Sequence, residues 1–229
     1  AAVIDPRRDC EVYVDKARAE GLEITHIFET HRNEDLISGS PILSEMTGAR
    51  VYHGPNPAGE VVFAETAREG DCFELGQLRI EVLETPGHTD DHLAFVIHDS
   101  EYSEGPVGVF TGDALLIDGC GRTDFQNGDS AVLFKSVREK LFALPEGTLV
   151  YPAHDYSGRR VSTIMQERTR NPRLNDEISL SEFQRIMAEL DLPYPKKIDV
   201  AVPANLKCGD CVEEAVEHLH KIGGKSPQG

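Results

Sequence analysis

The chain has 229 residues, 39% hydrophobic and 28% charged, a composition that suits one good-sized globular domain able to bury its own core without disulfide or metal staples. Its 40 acidic and 23 basic residues leave a net charge of −17, a field that repels phosphate backbones and anionic membranes, so nucleic-acid binding is disfavoured. No run of about 18 apolar residues occurs, so no transmembrane helix is expected. In chain order, Ala2–Ile4 reads as a short strand meeting a turn at Asp5-Pro6. A chain seldom starts inside a strand, so residues ahead of Ala1 are expected to belong to the same domain. Cys10–Glu20 has helical spacing and stops at Gly21. Ile24–Glu29 is a strand that delivers Thr30-His31 to its end. Pro41–Thr47 is a helix closed by Gly48, and Arg50–Tyr52 a strand. Gly70–Phe73 and Leu75–Leu83 form a hairpin that turns at Gly76-Gln77. Leu93–His98 and Gly108–Thr111 are strands around a polar loop. Ser130–Phe142 is an amphipathic helix, and Thr148–Tyr151 a strand ending at Pro152-Ala153-His154. From residue 160 to 229 the chain reads as mostly helical, with helices at Ser162–Thr169, Ser181–Leu190 and Val212–Ile222.

Strands interleaved with helices, then helices alone, predict an α/β fold of layered sheets covered by helices. Ligands in such folds sit on loops at strand C-terminal ends. Four segments place a His or Asp there, the last three with a Gly or Pro within two residues. They are Thr30-His31, Thr85-Pro86-Gly87-His88-Thr89, Phe110-Thr111-Gly112-Asp113 and Tyr151-Pro152-Ala153-His154-Asp155-Tyr156. Rigid strands fix such ligands and tight turns clear room for an ion. A lone His at a strand end is usually a satisfied surface residue; four matching segments in order argue for a metal site.

In these segments the chain resembles the metallo-β-lactamase superfamily and, within it, the persulfide dioxygenases, relatives of glyoxalase II. The resemblance runs from Val3-Ile4-Asp5-Pro6 to about Cys208. It is most specific over 110–126, over Glu167-Arg-Thr-Arg-Asn-Pro-Arg-Leu174 and over Ala201-Val-Pro-Ala-Asn205. It implies one metallo-β-lactamase-type αββα sandwich with a helical C-terminal part. The superfamily's first metal motif, His-X-His-X-Asp-His, is altered here to His31-Arg32-Asn33-Glu34-Asp35-Leu36. A binuclear hydrolase needs both metals, and Leu36 ligates nothing. The second site keeps only Asp35, Asp113 and His154, which weakens a glyoxalase II-like thioester hydrolase reading. The dioxygenase resemblance implies one Fe(II) held by His31, His88 and Asp113, all present. Two His and one carboxylate with open positions are the facial triad of non-haem iron oxygenases. The implied reaction oxidises glutathione persulfide, or another small persulfide, with O2 to sulfite and thiol.

By the same resemblance Tyr156 and Arg173 face the glutathione moiety, and Arg173 could grip a carboxylate bidentately. Arg122, expected to pair with Asp113, Asp124 or Asp155, and His154 and Asp155 are read as hydrogen-bonding support around the ligands. Cys208-Gly-Asp-Cys211 has CxxC spacing but no redox context. His92, His218 and His220 are read as non-ligands, and Cys120 as a buried thiol. The five cysteines, odd in number and irregular in spacing, suit a reducing compartment, cytoplasmic or a mitochondrial matrix. A module of a sulfurtransferase fusion is a further alternative, without a rhodanese-like loop in view. A homodimer is left open.

Overall fold

The computed structural model describes residues 1–56, 63–155 and 157–207. Ten strands form two sheets. The first holds β1 (Ala2–Ile4), β2 (His26–Phe28), β3 (Arg50–His53) and β4 (Glu65–Thr66), all parallel and in that order. The second runs β10 (Ser162–Thr163), β9 (Leu149–Pro152), β8 (Pro106–Gly112), β7 (Leu93–Asp99), β6 (Leu78–Glu84), β5 (Cys72–Leu75). It is antiparallel except where β8 runs parallel to β9.

Successive strand residues point to opposite faces, so each sheet has an inner and an outer set. Phe28, Tyr52, Leu93 and Phe95 meet between the sheets, with Ile80 and Val82. Their neighbours Ile27 and Val51 face outward to α1 (Glu11–Ala19) and α2 (Ser40–Thr47). Ala94 and Val96 face outward to α3 (Ser130–Lys135), α4 (Ile164–Arg170) and α5 (Leu180–Ala188), through Leu133, Ile164 and Phe183. The layers are therefore helix, sheet, sheet, helix.

Three expectations need correction. The helix read over Ser130–Phe142 is α-helical only to Lys135 and continues as a π-helical turn, Ser136–Leu141. Apolar spacing does not separate these two windings. The turn buries Val137 and Leu141 and lets Ser136 Oγ donate to the Pro86 carbonyl at 2.7 Å. Ser162 and Thr163 are strand, pairing with Val150 and Leu149; extended Thr163 caps α4 by accepting from Gln166 N–H. A helix not foreseen, α6 (Ile198–Lys207), contains Pro203, a residue that reads against helix. Its apolar side, Ala201 and Ala204, packs on Ile37. The helix read at Val212–Ile222, with Cys208, Cys211, His218 and His220, lies outside the described residues.

The register brings the site together. β2, β6 and β8 end at the same edge of the sandwich. Leu93 N–H donates to the Thr30 carbonyl at 2.7 Å, tying the start of β7 to the segment leaving β2. Gly112 pairs with Pro152 between parallel β8 and β9, and Ala153 N–H donates to the Gly112 carbonyl at 3.1 Å. Asp113 and His154 therefore emerge side by side.

Candidate metal centre

His31, His88 and Asp113, from three separate loops, converge as buried side chains. His88 Nε2 lies 3.6 Å from Asp113 Oδ2, and the His31 and His88 rings meet edge to face at 4.9 Å. His31 Nε2 and His88 Nε2 are buried atoms with no hydrogen-bond partner. A buried polar atom left this way costs free energy unless something else satisfies it.

The far side of each imidazole is satisfied. Thr30 Oγ1 donates to Asp5 Oδ2 at 2.8 Å, so it accepts from His31 Nδ1, also at 2.8 Å. The Arg122 carbonyl can only accept, so His88 Nδ1, 2.6 Å away, carries a proton. Both rings thus present Nε2 to the shared space, the arrangement of metal-bound histidines. Arg32, beside His31, ion-pairs with Asp90 and Asp91 and joins the first loop to the His88 loop.

Asp113 is held from two directions. His154 Nε2 stands 3.3 Å from its Oδ1, and its backbone N–H donates to His92 Nε2 at 3.1 Å. That fixes the His92 proton on Nδ1, which donates to Thr85 Oγ1 at 2.9 Å. His92 Nε2 is therefore already occupied, in keeping with its sequence context, and it positions Asp113. Gly112 is required at this point. Its φ is +50°, and a Cβ there would lie 2.6 Å from His92 Nε2.

The charges reinforce each other. Burial alone would raise the Asp113 carboxyl, but His154 and the charges of His88 and His31 hold it down at about 2. Burial would lower His88; Glu34 and Asp113 beside it raise it to about 9. Hydrogen bonding to Asp113 raises His154 to about 9.

Of the support residues, Arg122 grips Asp124 bidentately at 2.7 Å and stacks over Phe125, while its backbone holds His88. Asp155 is a correction. Its carboxylate is taken by Arg159, at 2.9 Å, and by Ser157 N–H, so its described bonds serve its own turn and not the ligands. Arg173 is half-buried and donates to the Cys120 carbonyl at 3.0 Å. Tyr156 lies outside the described residues. Burial pushes the Cys120 thiol up to about 11, which leaves it unreactive.

The altered first motif has a clear local cause. Asn33 Oδ1 accepts from Asp35 N–H at 2.8 Å and Leu36 N–H at 3.1 Å, so it closes a turn and has no lone pair aimed at an ion. Asn205 on α6 clamps that turn, donating to the Asn33 and Leu36 carbonyls and accepting from Ser38 N–H. One residue at the centre was not singled out from the sequence. Glu34, at a motif position open to any residue, forms with His31 and His88 a group of ligand atoms all within 4.8 Å of one another.

Known proteins share this architecture. The family model described as the metallo-beta-lactamase superfamily matches residues 1–154. The chain is 40% identical over 226 residues to "Persulfide dioxygenase ETHE1, mitochondrial" of Bos taurus, covering 91% of this chain and 79% of that one. It is 45% identical over 191 residues to the protein of the same name from Homo sapiens, covering 82% and 71%. The crystal structure of ETHE1 from Myxococcus xanthus superposes with a TM-score of 0.82 at 44% identity, covering 91% of this chain and 88% of that one.

Proposed function

The chain belongs to the metallo-β-lactamase superfamily and, within it, to the persulfide dioxygenases, and from that premise we propose that it holds one Fe(II) on His31, His88 and Asp113 and oxidises glutathione persulfide. It has the metallo-β-lactamase fold, and its enzyme class is persulfide dioxygenase, an activity that combines a persulfide with O2. We read the whole chain as one such domain. The observation that carries the metal reading is the pair of buried imidazole Nε2 atoms without hydrogen-bond partners, grouped with Glu34 and with Asp113 Oδ2 3.6 Å from His88 Nε2. Two nitrogens and a carboxylate suit a non-haem iron.

The overall change is RSSH + O2 + H2O → RSH + SO3²⁻ + 2 H⁺. Iron bound here supplies the one-electron chemistry that O2 needs. The protein supplies orientation and shelter. Asp5-Thr30 and the Arg122 carbonyl hold the two imidazoles by Nδ1 and turn Nε2 to the shared space. His154 and His92 fix the Asp113 carboxylate from its side-chain and backbone ends. Burial of all three ligands excludes bulk water, which strengthens these interactions. Arg173, beside Cys120, and Tyr156 are the residues we assign to the glutathione moiety, Arg173 to a carboxylate of it. Free Cys10, Cys72 and Cys120 suit a reducing cytoplasm or mitochondrial matrix.

The test is oxygen uptake by anaerobically prepared, iron-loaded protein. Uptake is expected with glutathione persulfide and not with glutathione. Thioester hydrolysis of lactoylglutathione without persulfide-dependent uptake would replace this reading with the hydrolase one.

A further inference from the structure

Glu34 is the unexplained residue of the centre. Its side chain is only 7% exposed, yet it is an acid in a pocket that already holds Asp113. Gln126 Nε2 approaches Oε2 at 3.3 Å from one side. Otherwise the two oxygens face the imidazoles: Oε1 is 3.4 Å from His88 Nε2 and Oε2 is 3.7 Å from His31 Nε2.

These separations are too long for good hydrogen bonds, and both nitrogens are unpartnered. They are near the spacing of atoms that share an ion, the His88 separation at its upper end and the His31 separation slightly beyond it. Ligand atoms about 2.1 Å from one centre stand about 3.0–3.4 Å apart at octahedral to tetrahedral angles. Both nitrogens are fixed from behind, as is Asp113, so Glu34 closes a ring of donors that is already aimed.

From this we infer that Glu34 is a fourth protein ligand, joining His31, His88 and Asp113 in a two-histidine, two-carboxylate site for a divalent cation. The inference rests on the reading that this centre holds a metal, and it adds a residue to it. The loop accounts for the exchange. Asn33 and Leu36 supply no donor, and the residue between Asn33 and Asp35 turns inward with a carboxylate. Two carboxylates neutralise a dication, whereas one leaves a net positive charge. Four protein donors also leave two positions of a six-coordinate ion for a sulfur and a dioxygen.

The experiment strips the chain with chelator and titrates Co(II) anaerobically, following the visible bands and competition with a chelating dye. Wild type should bind one Co(II). Glu34→Ala should bind about tenfold more weakly or worse, with shifted bands, and Glu34→Gln should fall between. Affinity within about threefold of wild type, or weaker binding with unchanged bands, would overturn the inference; the second result would mean that Glu34 acts through charge alone. If wild type binds no Co(II), the metal reading itself fails, and the Glu34 role with it. Should Glu34→Ala not fold by circular dichroism, a structure of Co(II)-loaded wild type decides. A Glu34 oxygen about 2.0–2.4 Å from the ion supports coordination, and one beyond about 3 Å refutes it.

Discussion

Within one cluster of loops, the inner and outer halves come from neighbouring residues and have opposite chemistry. Inward, His31, Glu34, His88 and Asp113 are all buried, and the two unpartnered imidazole nitrogens lie beside the Glu34 carboxylate. Outward, Asp35 is exposed, Leu36 is apolar, and Asp155 is occupied by Arg159. His154 reaches from the outer half to the inner, at 3.3 Å from Asp113. Glu34 and Asp35 are adjacent acids, yet one is enclosed between two imidazoles and the other meets solvent. Under the proposed reading, the contrast is how a loop that could serve two ions is cut down to one. Leu36 supplies no donor, Asn33 is turned to backbone bonding, and the retained ligands are braced from behind.

The largest break should come from the inner half. His88→Ala should reduce bound metal to below about a tenth of an ion per chain and persulfide oxidation by about 100-fold or more, as metal analysis and oxygen uptake would read. Asn205→Ala tests whether both halves hang on the same turn. It leaves Ser38 N–H and the Asn33 and Leu36 carbonyls without their partner. Stability should fall by about 2–4 kcal/mol and the melting point by roughly 5–10 °C, seen by calorimetry. Asn33→His with Leu36→His reverses the contrast. With Asp35, Asp113 and His154 it offers enough donors for a second divalent ion, so zinc content in added zinc should rise above one per chain. Asp155→Ala gives the smallest effect: metal content and oxygen uptake should match wild type, because the carboxylate serves Arg159 and Ser157.

Much of this was legible in the residues. His31, His88, Asp113 and His154 each lie just past a short apolar run, the last three beside Gly or Ala, so their place at strand ends could be read directly. The pairing of β8 with β9 that sets Asp113 against His154 is a long-range register, which local pattern does not encode. Glu34 gave no signal because its neighbours decide which way it points, through a turn closed by Asn33 and clamped by Asn205. His92 looked like a misplaced ligand, and its role emerged only from the backbone N–H it accepts. Pro203 hid α6, whose packing on Ile37 outweighs the proline. Asp155 misled because its neighbour His154 does face the site, while Arg159, four residues on, captures the acid.

The central claim is that the inner half holds an ion and the outer half does not. Metal analysis of freshly, anaerobically purified protein tests it most directly. One iron per chain is the predicted result, and two zinc ions per chain would contradict it.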